Sequence, residues 1–573
     1  MTAPNRPARW LISPEADWSG LSRNVGLSPL AAKVLAARLG PDPVAARRFL
    51  DPGLDDLHPP HLMHGMDAAV SRLRRAIGNG EKVLVYGDYD VDGATSIVLL
   101  KTAIELAGGQ ADFHVPHRLR DGYGMQAGVI EDAAAQGFRL VISVDTGIRA
   151  AEAVRAAAAA GIDVIVTDHH LPEAELPPAL AVLNPNQPGC PYPEKNLCGV
   201  GVAFKLAQAL FSSLGWPAAR QTRLLDSFLK LVAIGTVADV VPLTGENRII
   251  VKHGLAGLSD VRNPGLRALL DVAGFGNGTL PSASHIAFRV APRINAAGRM
   301  DTARQVIEMF LTSDAARARE IAEQLNALNA ERQLTEREII DAITASCESE
   351  PVADDMTALV FAGEGWHRGV LGIVASRMVE RFHRPAFVLG IENGSAQGSG
   401  RSVPGFHLLD ALESMPDVFT KFGGHVAAAG LTLDSSRVDE FRTRLNAYAS
   451  SRLSPADFVP THRVDAIATL DEIHETAAAD LARLAPFGFG NPLPVFCARG
   501  VSLAGEPRVI KEKHLRLPIA QGGRVVMMMG WNQANRVPDL PRDTFDVLFT
   551  VEDDPAGAAR GYQGWSVILK DFR

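Results

Sequence analysis

Apolar and polar positions along this chain come in blocks, and the rhythm of the blocks changes along its length. From residue 81, short apolar runs alternate with longer amphipathic stretches. Residues 81–86, 111–115, 139–144 (RLVISV) and 162–167 (IDVIVT) read as buried strands. Residues 94–107 and the alanine-rich 149–160 read as helices, stopped by Gly108-Gly109 and Gly161. Such alternation predicts a parallel sheet covered by helices. Residues 224–239 predict another apolar helix. The stretch 303–347 carries a sustained helical period, with Ile321, Leu325 and Leu328 on one stripe, and predicts a long connecting helix. Runs at 357–366 and 384–391 predict strands of a second α/β unit. From about residue 455 the pattern shortens again. Runs at 524–531, 546–553 and 564–572, separated by turns, suit a small β-barrel. Residues 1–70 form a turn-rich, partly helical lead-in.

Composition narrows the class. At 573 residues the chain accommodates about three or four domains. A hydrophobic content of 47% with 21% charged residues fits a soluble globular enzyme. The net charge of −8 supplies no global basic field, so any contact with nucleic acid must use a local groove. The four cysteines, Cys190, Cys198, Cys347 and Cys497, form no CxxC pair. That argues against a disulfide framework or zinc knuckle and suits a cytoplasmic location. The first fifteen residues carry no apolar core of signal-peptide length, and no uncharged apolar run is long enough to span a membrane.

The candidate chemistry sits just past the strand ends. VLVYGDYDVDGATS (83–96) delivers Asp88, Asp90 and Asp92 straight after the first strand. Asp145 follows the third strand in SVDTG, and Asp168, His169 and His170 follow the fourth in VTDHH. Asp239 ends the apolar helix in TVADVVPL. Taken singly, each aspartate is an ordinary turn former or helix cap. In a parallel sheet, however, these strand ends converge on one edge, where ligands bind. A crowd of carboxylates with imidazole is stable there only if cations neutralise it. Oxygen donors with one or two imidazoles suit Mn²⁺ or Mg²⁺. Two such ions, about 3.5–4 Å apart, are the usual machinery for in-line attack on phosphate esters.

GDYDVDGATS, SVDTG, TDHH and ADVVPL resemble the four motifs of the DHH phosphoesterase superfamily. PRINAAGRMD (292–301), GWHRGVLGIVASR (365–377), GSGRS (398–402) and FGGHVAAAG (422–430) are similar to its companion DHHA1 domain. APFGFGNPLPVF (485–496) resembles the approach to an oligonucleotide-binding (OB) barrel. The implied fold is α/β: a parallel-sheet DHH domain over 71–300, a long helix over 301–350, and a smaller α/β DHHA1 domain over 351–450. An all-β OB-fold barrel follows over 455–573.

The implied activity is that of the superfamily's single-strand-specific DNA exonucleases, working 5′→3′ with two Mn²⁺ or Mg²⁺ ions and releasing 5′-mononucleotides. The resemblance leaves two alternatives, an oligonucleotide or pyrophosphate phosphoesterase and a catalytically inactive replication scaffold. Asp145 stands at the position that bridges both metals. Asp88, Asp90, Asp92, His169 and Asp239 match the remaining ligand positions, with Asp88 where some relatives carry histidine. His170 matches a residue close to the phosphate that serves the leaving group. Asp168 matches one that orients an imidazole. On the DHHA1 side, Arg401, Ser402, Gly423, Gly424 and His425, joined by Arg293 and Arg299, would grip substrate phosphates. The implied partners are single-stranded DNA with a 5′ end, a single-strand-binding protein and a repair helicase, with no membrane and a monomer sufficient. From residue 455 onward the chain has 13 Lys and Arg against 15 Asp and Glu, so the barrel is not basic overall.

Overall fold

The computed structural model describes all residues except 1–7, 117–123, 277, 301–302, 354, 555–556, 559–560 and 562. The chain folds into two compact units. One comprises Asp42–Asn329 with Leu481–Leu493; the other comprises Met1–Pro41, Ala330–Asp480 and Pro494–Arg573.

The first unit is built on the expected parallel sheet. Its strand order is Gln110–His114, Lys82–Gly87, Phe138–Val144, Asp163–Thr167, Ala181–Leu183, and every neighbouring pair is parallel. Val83, Val85, Leu140, Ile142 and Ile165 have no exposed surface, as residues of a sheet covered on both faces should. The helix Val91–Leu106 is apolar nearly all round because it lies between the sheet and the helices Gly199–Ser213 and Ala218–Ala238. Register is what matters for function. Gly87 pairs with Val144, and Val144 pairs with Thr167. Asp88, Asp145 and Asp168 therefore leave the sheet in one row, each one residue past its strand.

The second unit carries a five-stranded mixed sheet and a barrel. The mixed sheet runs Lys421–Gly424, Ala428–Asp434, Ser395–Arg401, Ala386–Glu392, Leu359–Glu364. Only the last two of these strands pair in parallel. The barrel strands follow the order Phe496–Leu503, Phe545–Asp553, Trp565–Phe572, Arg524–Gly530, His514–Gln521. Pairing of Ser502 with Ala520 closes the ring.

Two features differ from the sequence pattern. The single helix expected over 303–347 is broken into Arg304–Leu311 and Ala315–Ser349. Asp314 causes the break: its side chain accepts the Ala316 N–H at 2.8 Å, an N-cap that competes with continuing the helix. The lead-in contains a strand, Arg9–Ile12, paired in parallel with Thr461–Val464. Trp10 anchors it by donating its indole N–H to Asp571 Oδ2 at 2.7 Å. Among the described residues no helix is long and apolar enough to cross a membrane.

Candidate metal centre

The turn after the first strand is shaped by its own aspartates. Asp88 Oδ1 accepts the Tyr89 N–H at 2.8 Å. Asp90 is the N-cap of the helix Val91–Leu106, and its Oδ1 accepts the Gly93 N–H at 3.0 Å. Asp92 lies within the first turn and is fully buried. Its Oδ2 accepts the Gly199 N–H at 2.6 Å and its Oδ1 accepts the Val200 N–H at 2.7 Å. These are unsatisfied donors at the start of the helix Gly199–Ser213, whose dipole favours an anion at that end. Position 199 has no room for a side chain: a Cβ there would lie 2.5 Å from Asp145 Cβ.

Asp145 itself has φ +57°, a left-handed conformation that costs a non-glycine residue on the order of 1–3 kcal/mol. Asp239 ends the helix Ala218–Ala238, and Val240 after it is also left-handed, at φ +61°. His169 Nε2 lies 3.2 Å from Asp145 Oδ1, 3.6 Å from Asp239 Oδ2 and 3.9 Å from Asp92 Oδ2. Among the described residues three sets of donor atoms gather within 4.8 Å: Asp88, Asp90 and Asp145; Asp92, His169 and Asp239; and Asp145, His169 and His170. Asp145 and His169 each belong to two of them, and the set they share joins the other two.

The electrostatics of this pocket call for cations. Asp145 Oδ1, His169 Nε2 and Asp239 Oδ2 are buried, face one another and have no hydrogen-bond partner among the described residues. Such groups are normally satisfied, and leaving them bare is costly. Burial, then repulsion from Asp90, pushes the Asp92 carboxyl up to about 7. Burial and repulsion from Asp92 push Asp239 up to about 9, and burial with four neighbouring aspartates raises Asp145 well above its usual range. His169 is pulled down to about 4 by burial and by His170, so its imidazole is neutral and keeps a lone pair. Oxygen donors with neutral imidazole fit Mn²⁺ or Mg²⁺.

Asp168 belongs to none of these sets, because its own oxygens are occupied. Oδ1 accepts the His169 N–H at 2.7 Å, the His170 N–H at 3.1 Å and meets His170 Nδ1 at 2.7 Å; Oδ2 accepts the Ile148 N–H at 2.9 Å. Burial would raise the Asp168 pKa, but the bond and charge of His170, the Ile148 N–H and the His169 charge together outweigh it and hold the carboxyl low. Burial would likewise lower His170, but the bond to Asp168 and the charges of Asp168, Asp92 and Asp88 together hold that imidazole above its ordinary value.

The raised carboxyls predict a pH dependence in metal-free protein. A carboxyl whose folded pKa exceeds its unfolded one binds more protons when folded, so its contribution to stability is lost as pH rises. The window runs from the ordinary 3.8 to about 7 for Asp92 and to about 9 for Asp239. Thermal midpoints of metal-free Asp239→Asn and the parent chain should therefore diverge in the variant's favour between pH 5 and 9. Parallel curves would contradict the charge crowding.

The expected phosphate-gripping residues fall in two places. Arg293 and Arg299 lie on the helix Ala291–Met300 in the same unit as the carboxylates. This helix packs against the metal-motif turn, since a Cβ at Gly298 would lie 2.9 Å from Tyr89 O. Arg293 Nε donates to Asn326 Oδ1 at 3.0 Å. Arg401, Ser402, Gly423, Gly424 and His425 lie in the other unit and gather at one end of its mixed sheet. Arg401 pairs with Ala428, and Gly424 pairs with Ala429. Ser402 Oγ donates to Phe406 O at 2.7 Å, and His425 is exposed. Sequence reasoning missed the Gly199–Val200 donors, because backbone N–H groups leave no mark in residue identity; the Gly-Val-Gly at a helix start was the available signal.

Residues 82–236 match the DHH family, N-terminal domain; residues 355–451 match the DHHA1 domain, and 464–557 the RecJ OB domain. The single-stranded-DNA-specific exonuclease RecJ of Dickeya dadantii is 40% identical over 80% of this chain and 81% of its own length. That of Escherichia coli is 37% identical over 87% of each. That of Bacillus subtilis is 38% identical over 92% of this chain, which spans 66% of that longer relative. The crystal structure of RecJ from Thermus thermophilus in complex with Mn²⁺ superposes with a TM-score of 0.82 at 31% identity, covering all of this chain and 80% of that one. With three domain matches in order and this level of identity, the chain belongs to the RecJ family of single-stranded-DNA-specific exonucleases.

Proposed function

We propose that this protein hydrolyses single-stranded DNA from its 5′ end, releasing 5′-mononucleotides at a centre that binds two Mn²⁺ or Mg²⁺ ions. The observation that carries the reading is the trio of buried, unpartnered ligand atoms on Asp145, His169 and Asp239. Asp88, Asp90 and Asp145 would hold one ion; Asp92, His169 and Asp239 the other, with Asp145 common to both. When bound, the ions supply an activated water and offset charge on the phosphoryl oxygens. The chain's own residues do the rest. The Gly199 and Val200 N–H groups fix the Asp92 carboxylate. Asp168, with the charges of Asp92 and Asp88, holds His170 above its ordinary pKa against burial, so its half-exposed ring would serve the phosphate as a proton donor. Arg401, Ser402, Gly423, Gly424 and His425 would bind the 5′ phosphate, and Arg293 and Arg299 the phosphates beside the metals. The barrel would hold the incoming strand. The family likeness further supports a cytoplasmic role in DNA repair and recombination beside a single-strand-binding protein and a helicase.

The test uses Mn²⁺ and 40-mers labelled at the 5′ or the 3′ end, as single strands and as blunt duplexes. Early release of the 5′ label as mononucleotide from the single strand alone is the expected result. Early release of the 3′ label reverses the polarity. Intact strands alongside cleaved pyrophosphate or dinucleotide would replace the polymer with a small substrate.

A further inference from the structure

The segment APFGFGNPLPVF precedes the barrel in the sequence, yet Leu481–Leu493 folds with the unit that carries the carboxylates. The loop is tied together by its own hydrogen bonds. Asn491, fully buried, donates from Nδ2 to Leu484 O at 3.0 Å and to Pro486 O at 2.8 Å. Gly488 and Asn491 exchange backbone hydrogen bonds at 2.9 and 3.2 Å. The loop then grips the turn that follows Asp239. The Leu243 N–H donates to Phe489 O at 2.7 Å. Gly490, at φ +74°, lies so close that a Cβ would be 2.9 Å from Pro242 Cβ and 3.1 Å from Pro242 Cα. A Cβ on Gly488 would be 2.7 Å from Leu243 Cδ1. On the far side of that turn, the buried Arg248 donates from Nη1 to Leu484 O at 3.0 Å and from Nη2 to Ala485 O at 2.8 Å.

The turn needs such a brace. Val240 is left-handed and 64% exposed, so between Asp239 and the buried Leu243 the turn is tied to its own unit only by the partly buried Val241 and by Asn247 Nδ2 donating to Pro242 O at 3.1 Å, besides the loop. We infer that the Ala485–Asn491 loop is a positioning element of the metal centre, holding residues 239–243 so that the Asp239 carboxylate meets His169 and Asp92. The inference rests on the reading of Asp239 as a metal ligand. Gly490 and Gly488 are its positioning residues, although they precede the barrel by only a few residues and follow Asp239 by some 250.

Mn²⁺ titration of the full chain without DNA, followed by electron paramagnetic resonance, separates this from a purely structural role. Gly490→Ala places a methyl against Pro242. Gly161→Ala imposes a similar left-handed strain, at φ +72°, where no described residue lies within 4 Å. Asp239→Asn marks the ligand's own effect. The expected result is that Gly490→Ala weakens the same Mn²⁺ class as Asp239→Asn, by about 10–100-fold, while Gly161→Ala binds like the parent. Gly488→Ala, whose methyl meets only a side-chain end, should do the same more weakly, and it carries the test if Gly490→Ala does not fold. If the loop variants bind Mn²⁺ like the parent while Asp239→Asn does not, the inference is overturned and the ligand reading stands. If Asp239→Asn itself binds like the parent, the ligand reading fails and takes the inference with it.

Discussion

Asp145→Ala should lower single-strand hydrolysis by at least roughly 10³-fold while leaving the metal-free fold as stable as before, or more so. The magnitude follows from its place: losing a single transition-state donor already costs about 10²–10³ in kcat, and Asp145 belongs to two of the three donor sets. The stability half has a different cause. Burial and the surrounding Asp92, Asp90, Asp88 and Asp239 disfavour its ionised form, and φ +57° adds backbone strain. Alanine removes the repulsion and keeps the strain. A residue can thus be essential to activity and unfavourable to the empty fold, a pairing expected where function and stability conflict. Turnover measured with Mn²⁺, beside thermal unfolding in chelator, checks both halves. An unstable metal-free variant would show that Asp145 serves the fold instead.

The largest stability effect is expected away from the candidate metal centre, at Lys205 and Glu246. Neither has appreciable exposure, and Lys205 Nζ meets Glu246 Oε1 at 2.7 Å. The carboxylate also accepts the Tyr192 hydroxyl at 2.6 Å and the His58 N–H at 2.7 Å, while Lys205 Nζ donates to His58 O at 3.0 Å. Burial pulls the Lys205 ammonium below its usual range, and Glu246 acts against that pull. Breaking such a pair strands a charge in the core, which costs about 3–5 kcal/mol. Lys205→Met alone and Glu246→Gln alone should each lose that much in urea unfolding. The double variant should lose clearly less than the sum, because it leaves no charge behind. Additive losses would mean that the two charges do not depend on each other.

The candidate metal centre was legible because parallel strands in register deliver the residue after each strand to the same row. Asp88, Asp145 and Asp168 can be aligned from apolar run lengths alone. The strand Arg9–Ile12 was not, since four residues carry little periodicity and its partner lies some 450 residues on. Nor was the break at 312–314, where the apolar stripe continues across the gap and only Asp314 marks a new helix start. The support of the site was hidden for a deeper reason. Asp92 is held by backbone N–H groups of Gly199 and Val200, and the Asp239 turn by the backbone of Phe489. Contacts made by main chain and by missing side chains depend on the fold, and residue identity shows at most a glycine. Buried charges such as Lys205 and Glu246 sit 41 residues apart, and the pattern of their helices gives no reason to join them.

The most direct measurement is a crystal of this protein grown with Mn²⁺ and examined by anomalous scattering at the manganese edge. Two peaks are expected, about 3.5–4 Å apart, with Asp145 between them, Asp88 and Asp90 on one side, and Asp92, His169 and Asp239 on the other. A single peak, or two that do not share Asp145, would contradict this arrangement.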